Sequence, residues 1–550
     1  IYFGYLPNRA ISRSMLMRTV ICHLKTTAMN RTTLIKILSN STFADTTIPY
    51  RTFVDEDKRL IAVANSFFTQ WSGRHISMWS KSLLLYNLDT LELISFVDDL
   101  EYEINDLGFH PIENIIALGI GSYDGGAYYE GELLFWNYKT NELNSILTDN
   151  REITKCEFRK DGSKLVFTVN PTDDLDCPDY TDKEYELDIP VLKKISLESL
   201  NPISITDHID NFNIEDYNNR LINSVKVLAN ISRHKNEAYI NRHLIWDILF
   251  INKQEIAVAR NNAIIEIWNI ETGIVKEIRL PNTGDCVELF LNSTNNSLLV
   301  NLWSRDFQSE NTNKLFSIDL LNLEIQEVIN CSHTISKSKN NYFLARQFDH
   351  SDKKKKDFIF SPNYKVVFEK RFGHYDLFNH YLRIDNSEFL YYLVGNPKEQ
   401  HQNKTLCSIN PETFEIKEVW QIEKQSNHYN DLNGIKINDD LILSGKVYSS
   451  NRNSYDTQEL FRIDLMTKKE KWLRTVNSQV CSFGIIDNGL TIVLALTNGQ
   501  IELIESANGK TIEVINRSKN QSFARPLSLA TFDNKIVVGL TNGQIEIYKR

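Results

Sequence analysis

The sequence lacks the motifs and long apolar runs that would mark a membrane protein or a common enzyme class. No apolar run approaches the roughly 20 residues that span a bilayer, and neither an HExxH nor a GxSxG motif occurs. The seven cysteines lie far apart, which excludes the paired spacing of a disulfide framework or a zinc knuckle. The net charge of −10 disfavours binding to phosphate backbones and anionic membranes. We therefore expect no metal, no cofactor, no membrane and no nucleic-acid partner, and we expect a reducing, cytoplasmic location.

The first residues also lack the features of a targeting signal. Residues 1–28 carry scattered charges and contain no apolar stretch of the 7–15 residues typical of secretory signals. The sequence begins with Ile, and Met29 is a plausible natural start. We therefore expect residues 1–28 to be a leader outside the fold.

A literal internal repeat is present near the carboxyl end. The segment Thr497–Glu502 (TNGQIE) recurs as Thr541–Glu546, 44 residues later. Each copy follows an apolar run and precedes alternating apolar residues. Asn-Gly favours a type I′ turn, in which both central residues have φ > 0. Each copy thus predicts a strand, a tight turn and a second strand.

Weaker copies of this pattern fill the chain. Each has an apolar strand that ends in a marker residue, usually small and polar, followed by a short turn and another strand. The markers are Asn87, Asn137, Ser196, Asn269, Asp319, Ser361, Asn410, Asp464, Glu505 and Lys549. Repeats of about 40–45 residues are typical of propeller blades, and we interpret the longer intervals as loop insertions. A sandwich or a β-helix fits these repeat lengths poorly.

Two of these segments resemble the end of the third strand and the following turn of a WD40 repeat. They are Trp268–Gly273 (WNIETG) and Trp136–Asn141 (WNYKTN), with Asn in place of Asp. The family's Gly-His dipeptide is absent, and the one Trp-Asp pair, at 246–247, begins a unit. The resemblance covers roughly residues 48–550 and implies an all-β, divergent WD40-like β-propeller. The family's side-chain hydrogen-bond network is not carried over.

We predict about ten four-stranded units, in one large ring or in two propellers. The expected organisation is a leader at 1–28, a closing strand of the last blade within 29–47, units 1–3 at 48–206, a helical insertion at 207–242 and units 4–10 at 243–550. The last unit ends at its third strand, so residues 32–38 are predicted to supply the fourth. Leu221, Val225 and Leu228 recur at helical spacing in the insertion.

The long insertions are predicted to share one face of the propeller. In a blade with strands a to d, the b–c connection and the d–a link leave from the same side, and most long segments are of these two kinds. Loops on a rigid scaffold commonly carry function, and Trp, Tyr and Arg are enriched at binding hot spots. The candidate partner-binding residues on this face are Trp71, Arg74, Trp79, Tyr123, Tyr128, Tyr129, Trp303 and Arg305.

Three charged or glycine-rich stretches are interpreted as structural. The stretch 119–126 lacks the spacing of a dinucleotide fingerprint and is expected to be a tight loop. The acidic residues of 173–188 lack the order and the glycine of an EF-hand and are expected to form a solvated loop. Lys353–Lys356 are expected at an exposed loop tip.

The absence of site chemistry favours a non-catalytic scaffold that binds another protein through the face with the long loops. The alternative is a hydrolytic or metal-dependent propeller enzyme with its site at the mouth of the central channel. A small-molecule ligand stays a third, open interpretation.

Overall fold

The computed structural model describes residues 31–39, 42–72, 75–123, 129–171, 181–191, 193–207, 214–235, 237, 244–281, 284–303, 314–329, 333–347, 356–372, 382–394, 404–422, 427–449, 458–517 and 524–550. These ranges hold forty β-strands and one α-helix. They also hold two single 3-10 turns, Leu197–Ser199 and Asp487–Gly489. The fold is all-β, as the sequence predicts.

The strands form ten consecutive units of a β-propeller, each with strands a to d from the inside outward. The first three units contain β2 Ile48–Asp55, β3 Leu60–Ser72, β4 His75–Asn87 and β5 Leu93–Leu100; β6 Ile104–Phe109, β7 Ile115–Tyr123, β8 Tyr129–Asn137 and β9 Glu142–Ser145; β10 Ile153–Phe158, β11 Lys164–Val169, β12 Thr181–Asp188 and β13 Ser204–Asp207. Units 4 to 6 contain β14 Ile245–Phe250, β15 Glu255–Arg260, β16 Ile264–Asn269 and β17 Val275–Arg279; β18 Asp285–Asn292, β19 Ser297–Trp303, β20 Lys314–Asp319 and β21 Ile325–Ile329; β22 His333–Lys337, β23 Phe343–Gln347, β24 Asp357–Phe360 and β25 Val366–Lys370. Units 7 and 8 contain β26 Leu382–Asp385, β27 Leu390–Val394, β28 Lys404–Ile409 and β29 Ile416–Ile422; β30 Asn427–Ile437, β31 Asp440–Ser449, β32 Gln458–Asp464 and β33 Lys469–Val476. Units 9 and 10 contain β34 Val480–Ile486, β35 Thr491–Leu496, β36 Gln500–Glu505 and β37 Thr511–Asn516; β38 Pro526–Phe532, β39 Lys535–Leu540 and β40 Ile545–Lys549.

The fourth strand of unit 10 comes from the other end of the described chain. Strand β1, Thr33–Leu38, pairs antiparallel with β40, so that Thr33 lies opposite Lys549 and Leu38 opposite Ile545. The register shifts between Leu34 and Lys36, where a β-bulge adds one residue. This pairing ties residue 33 to residue 549 and closes a ring.

Units 4 to 10 form a closed ring of seven. Each unit packs its sheet face against the next through shared hydrophobic clusters. The circle closes where unit 10 packs against unit 4, with Leu38, Val537 and Ile547 buried against Ile245 and Trp268. Because both faces of a sheet are covered, a strand b such as Thr491–Leu496 is buried at every position and is apolar at every position after Thr491. Seven units lie within the usual range for one propeller ring.

Units 1 to 3 form an open arc. Units 1 and 2 share one hydrophobic cluster, and units 2 and 3 share another. In the described part of the chain, the far face of unit 3 carries charged side chains such as Lys155, Glu157 and Lys164, with Lys164 paired to Glu186 at 2.6 Å. A polar outer face is what the terminal unit of a repeat array requires in water. We call units 4 to 10 the ring and units 1 to 3 the arc.

The helix covers the other end of the arc. Helix α1, Ile214–His234, lies within the predicted insertion and packs on unit 1. Its Leu228 is fully buried against Phe43, Val63 and Tyr86. The helix thus takes the place of a neighbouring blade on the face of unit 1 that no other described unit covers.

Unit 7 departs from the regular pattern. Its innermost strand, β26, pairs in parallel with β30 of unit 8 and leaves β27, β28 and β29 as a three-stranded sheet. The sheet of unit 8 therefore has five strands. Unit 6 is a complete four-stranded sheet.

Six of the ten marker residues end or directly follow strand c and cap the turn to strand d. Ser196 does not, because strand c of unit 3 ends at Asp188 and Ser196 caps the 3-10 turn that begins at Leu197. The side chain of Asn269 accepts the backbone N–H groups of Glu271 and Thr272 at 3.1 and 2.9 Å. The same pair of bonds recurs at Asn87, Asn137, Asp319, Asn410 and Asp464. Asn and Asp favour this geometry because their short side chains reach backbone groups two and three residues ahead.

The literal repeat forms the b–c turns of units 9 and 10, but the turn type differs from the prediction. Gly499 and Gly543 have φ of +90° and +81°, whereas Asn498 and Asn542 do not have positive φ, so the turn is not type I′. In both copies the glycine N–H donates to the backbone carbonyl three residues before it, and the Asn side-chain oxygen accepts the backbone N–H of the Gln two residues after it. In unit 9 this is a three-residue connection, 497–499, that ends in a left-handed glycine, and in unit 10 the connection 541–544 includes Gln544 after the glycine.

Candidate functional site: the loop face and the central channel

The two ends of the units differ strongly. The end that carries the b–c connections and the d–a links, which we call the loop face, has connections of eight to ten residues in units 5 to 8. In unit 1 the b–c hairpin itself is long, because β3 and β4 run thirteen residues each and pair as far as Ser72 and His75. The long b–c insertion of unit 1, at 65–82, is therefore a β-hairpin. The opposite end, the turn face, carries the short capped turns.

Five of the eight predicted partner-binding residues lie on described strands of units 1, 2 and 5. Trp71 and Trp79 lie on β3 and β4, Tyr123 ends β7, and Trp303 ends β19. Tyr129 begins β8 and is partly buried. The remaining three, Arg74, Tyr128 and Arg305, lie outside the described residues.

The loop face of units 4, 9 and 10 is occupied by the arc. Their b–c turns are only three or four residues long, at 261–263, 497–499 and 541–544. Arg525 donates to the carbonyl of Thr497 at 3.0 Å and reaches Asp99 of the arc at 3.1 Å. Ile48 at the start of β2 is buried in the cluster that also holds Leu527 of unit 10. Short turns in this sector leave the room that unit 1 fills.

Ion pairs with buried glutamates stabilise strand c of units 4, 9 and 10, the units whose loop face the arc occupies. Glu266, Glu502 and Glu546 stand at one position of strand c in units 4, 9 and 10. Glu546 is held by Arg517 at 2.7 Å and receives the Tyr548 hydroxyl at 2.6 Å. The others pair with Arg260 and Arg474. The glutamate in the literal repeat is thus a structural group.

The central channel of the ring is crossed by a salt bridge. Arg383 on the inner strand of unit 7 donates to Asp247 on that of unit 4 at 2.7 Å and to Asp385 at 3.2 Å. Asp247 also accepts the backbone N–H of Leu289 in unit 5 at 2.9 Å. The guanidinium lies 4.9 Å from the centre of the Phe290 ring. One arginine therefore connects three units across the channel.

A cavity of about 310 Å³ remains beside this bridge. Inner strands of units 4, 7, 8, 9 and 10 line it. Near it, burial lowers the pKa of Lys337 to about 8, which Asp385 opposes and Arg383 reinforces. Arg383 binds both carboxylates, so the described charges at this place largely satisfy one another.

Neither end of the channel shows the chemistry of a metal site in the part of the chain that the structure describes. No group of three or more His, Cys, Asp or Glu side chains there could hold a metal ion. Among the same residues, no helix is long and apolar enough to cross a membrane.

Two of the three stretches interpreted as structural are partly strand. Of the glycine-rich stretch, 119–123 belongs to β7, and a side chain at Gly121 would collide with Glu152. This loop prediction is therefore wrong for those residues, while 124–126 lie outside the described residues. Residues 181–188 of the acidic stretch form β12 instead of a loop. Of the four lysines, Lys356 is described, and it is exposed and paired with Glu369 at 2.5 Å.

The channel residues were missed by the sequence reasoning, although a signal exists. Asp247 is the one charged residue of the short strand Ile245–Phe250, and Arg383 lies between the apolar Leu382 and Ile384 in Leu382–Asp385. A charge within an apolar strand usually has a buried partner. The sequence cannot show which partner, because 136 residues separate the two.

The sequence matches no known family profile and no curated protein. The fold has detectable similarity to a solved structure, "The crystal structure of BamB from Moraxella catarrhalis". The TM-score is 0.37 at 10% sequence identity, and the match covers 57% of this chain and 87% of that chain.

Proposed function

We propose that this protein is a non-catalytic, cytoplasmic scaffold of divergent WD40-like repeats, and that it binds another protein through its loop face. The observation that carries the proposal is the contrast between the two faces. The turn face offers capped turns of a few residues, whereas the loop face offers long hairpins and connections with aromatic residues. Large rigid side chains on a fixed frame lose little entropy on binding.

The occupied sector narrows the proposed binding area. Units 4, 9 and 10 already hold unit 1 through Arg525 and Ile48. The remaining loop face belongs to units 5 to 8 of the ring and to the hairpins of units 1 and 2. Trp303 on unit 5 and Trp71 and Tyr129 on the arc fall in this area.

The alternative, an enzyme with its site at the channel mouth, has less support. A catalytic group needs freedom to exchange protons or to bind substrate. Arg383, Asp247 and Asp385 instead bind one another across the channel.

Site-specific photo-crosslinking in the native cells tests the scaffold. A photoreactive amino acid at 71, 129 or 303 should give an adduct with one recurring protein. Matched positions on the turn face, Thr90, Thr272 and Thr467, should give none. Adducts only from the turn-face positions, or none from any position, would overturn the proposal.

A further inference from the structure

His110 lies at the turn-face end of the junction between units 2 and 3 of the arc. It directly follows β6, begins the a–b turn of unit 2 and is 4% exposed. Its Nδ1 accepts the backbone N–H groups of Ile112 and Glu113 at 3.1 and 2.9 Å. Its Nε2 lies 3.1 Å from the carbonyl oxygen of Gly162, in the a–b turn of unit 3. One imidazole therefore stabilises the turn of its own unit and binds the turn of the next unit.

These partners determine the protonation state of the ring. A backbone N–H can only donate, so Nδ1 must be without a proton, and a carbonyl oxygen can only accept, so Nε2 must carry one. An imidazolium has a proton on both nitrogens, and the second proton would point at two N–H groups. The histidine contact, by which we mean these three hydrogen bonds, is therefore complete only when His110 is neutral.

The ring is closely packed on the side of unit 3. Phe158, at the end of β10, meets it edge-on with 4.8 Å between the ring centres. Gly162 has a φ of +74°, and a Cβ atom at this position would stand 2.6 Å from Cε1 of His110. Because the ring is held from both units, it cannot turn away from the two N–H groups and keep its bond to Gly162.

The groups around the ring shift its pKa in both directions. Burial, the largest effect, lowers the pKa of His110 below its ordinary value of 6.5. The Gly162 carbonyl opposes this shift, the Lys58 ammonium adds to it, and the Glu113 carboxylate opposes it. Lys58 also donates from its ammonium to the Glu113 carbonyl at 2.6 Å and from its backbone N–H to Asp55 at 2.9 Å. The neutral form that the contact requires is therefore favoured at neutral pH.

Other charged groups of this junction are bound or exposed. In the unit 3 turn, Arg159 and Asp161 each bind a neighbouring side chain, and Lys160 is exposed. Asp106, on the inner strand of unit 2, accepts the N–H of Cys156 at 3.0 Å, and burial raises the pKa of its carboxyl. Because Asp106 is a second titratable group of the junction, an experiment on pH must separate the two by a variant of His110.

Other units make the same kind of turn bond with a group that does not titrate. In unit 4 the side-chain oxygen of Asn252 accepts the N–H groups two and three residues ahead, both at 2.9 Å. Asn292 does so in unit 5, at 3.2 and 3.4 Å. An amide keeps its charge and its acceptor at any pH near neutrality. Unit 2 thus uses a titratable ring where an amide serves elsewhere.

We propose that His110 is a pH-sensitive contact that joins units 2 and 3 at neutral pH and releases them from one another in acid. A proton on Nδ1 breaks the bonds to the N–H groups of the turn, and the ring then leaves Gly162. Since the folded state holds the proton less tightly than the unfolded state, the contact contributes its full stability above pH 6.5 and loses it as the pH falls from 6.5 towards the pKa of the folded state. The contact lies at the turn face, so this proposal does not rest on the scaffold proposed above.

A native thiol reports the opening of this junction. Cys156 of unit 3 is buried, and its Sγ lies 3.5 Å from the carbonyl oxygen of Ala117 in unit 2. Cys407, buried in the ring between units 6 and 7, is a control within the same molecule. An aromatic disulfide reagent labels both thiols when they become accessible, and mass spectrometry of peptides gives the two rates between pH 8 and pH 5. The ratio of the Cys156 rate to the Cys407 rate cancels the pH dependence of the reagent.

The comparison of the wild type with His110→Asn decides the proposal. In the wild type the ratio should be constant above pH 6.5 and should rise by about threefold or more as the pH falls to 5. In His110→Asn, whose amide can still accept the N–H groups of the turn, the ratio should not depend on pH. A ratio independent of pH in the wild type, or the same rise in both proteins, would overturn the proposal.

If His110→Asn fails to fold, a change of charge beside the ring decides. Glu113 is exposed, and its carboxylate favours the imidazolium, so Glu113→Lys should move the rise in the ratio to lower pH. Glu198→Lys, an equal change of charge at an exposed position of unit 3, should leave the rise where it is. A rise that Glu113→Lys does not move, or that both variants move equally, would overturn the proposal.

Discussion

Replacement of Asp247 by Asn should destabilise the ring by about 2–4 kcal/mol. The Asp247 carboxylate binds Arg383 at 2.7 Å and the Leu289 N–H at 2.9 Å, and the two side chains are 10% and 17% exposed. Removing one partner of a buried pair costs about 3–5 kcal/mol because a charge stays behind unpaired. Asp385 still contacts Arg383 at 3.2 Å and should reduce that cost.

The arc contains a matched control. Asp106 accepts the Cys156 N–H at 3.0 Å from the inner strand of the next unit, as Asp247 does from Leu289. Asp106→Asn should cost less than about 1 kcal/mol, because an amide oxygen can replace the acceptor and burial already raises the pKa of this carboxyl.

Urea unfolding, followed by tryptophan fluorescence, measures both effects. Arg383→Met keeps a side chain over Phe290, and combined with Asp247→Asn it should show a coupling of about 1.5–3 kcal/mol. Equal losses for Asp247→Asn and Asp106→Asn, or strict additivity with Arg383→Met, would refute the bridge across the channel.

Three further changes test other parts of the fold. Since burial lowers the pKa of Lys337 to about 8, the charged form of this side chain is penalised in the folded state at neutral pH. Lys337→Met should therefore stabilise the protein by the order of 2 kcal/mol at pH 7, and this gain in the free energy of unfolding should shrink as pH rises from 8 to 10.5. A gain that does not depend on pH would contradict this origin. Leu228→Ala should lower the free energy of unfolding by about 2–5 kcal/mol, measured by thermal or urea unfolding, because the side chain is fully buried against unit 1. Ile222→Ala, on the exposed face of the same helix, should lower it little. Equal losses would mean that the helix does not cover the arc. Gly273→Ala should lower the free energy of unfolding by about 1 kcal/mol, because the glycine has a φ of +78° that a residue with a Cβ rarely adopts. Lys468→Gly, at the same turn position with a φ of +57°, should leave stability unchanged or raise it. Effects of the opposite sign would contradict the turn geometry.

The repeat was predictable because its signal is local. Asn269 and the equivalent residues cap turns by bonds to their own neighbours two and three positions ahead, so their spacing alone reveals the units. The type of the b–c turn was not predictable in the same way. A glycine after Asn permits several turns, and the backbone of unit 9 selects one with a left-handed Gly499 only.

The division into ring and arc depends on contacts that the sequence does not record. Whether unit 4 packs against unit 3 or unit 10 is decided by distant faces, such as Ile245 against Val537. The parallel pairing of β26 with β30 is likewise determined by tertiary packing and not by the local sequence. For the candidate site, the aromatic hairpins were visible as sequence, but the channel bridge joins residues 136 positions apart.

The scaffold proposal is tested most directly by the affinity of the crosslinked partner for matched surface variants. Trp71→Ala and Trp303→Ala on the loop face should each weaken binding about 30-fold, the effect of losing a hot-spot side chain of about 2 kcal/mol, without a change in melting temperature. Thr90→Ala and Thr272→Ala on the turn face should leave affinity within twofold. If the turn-face variants abolish binding while the tryptophan variants bind normally, the loop face is not the binding surface.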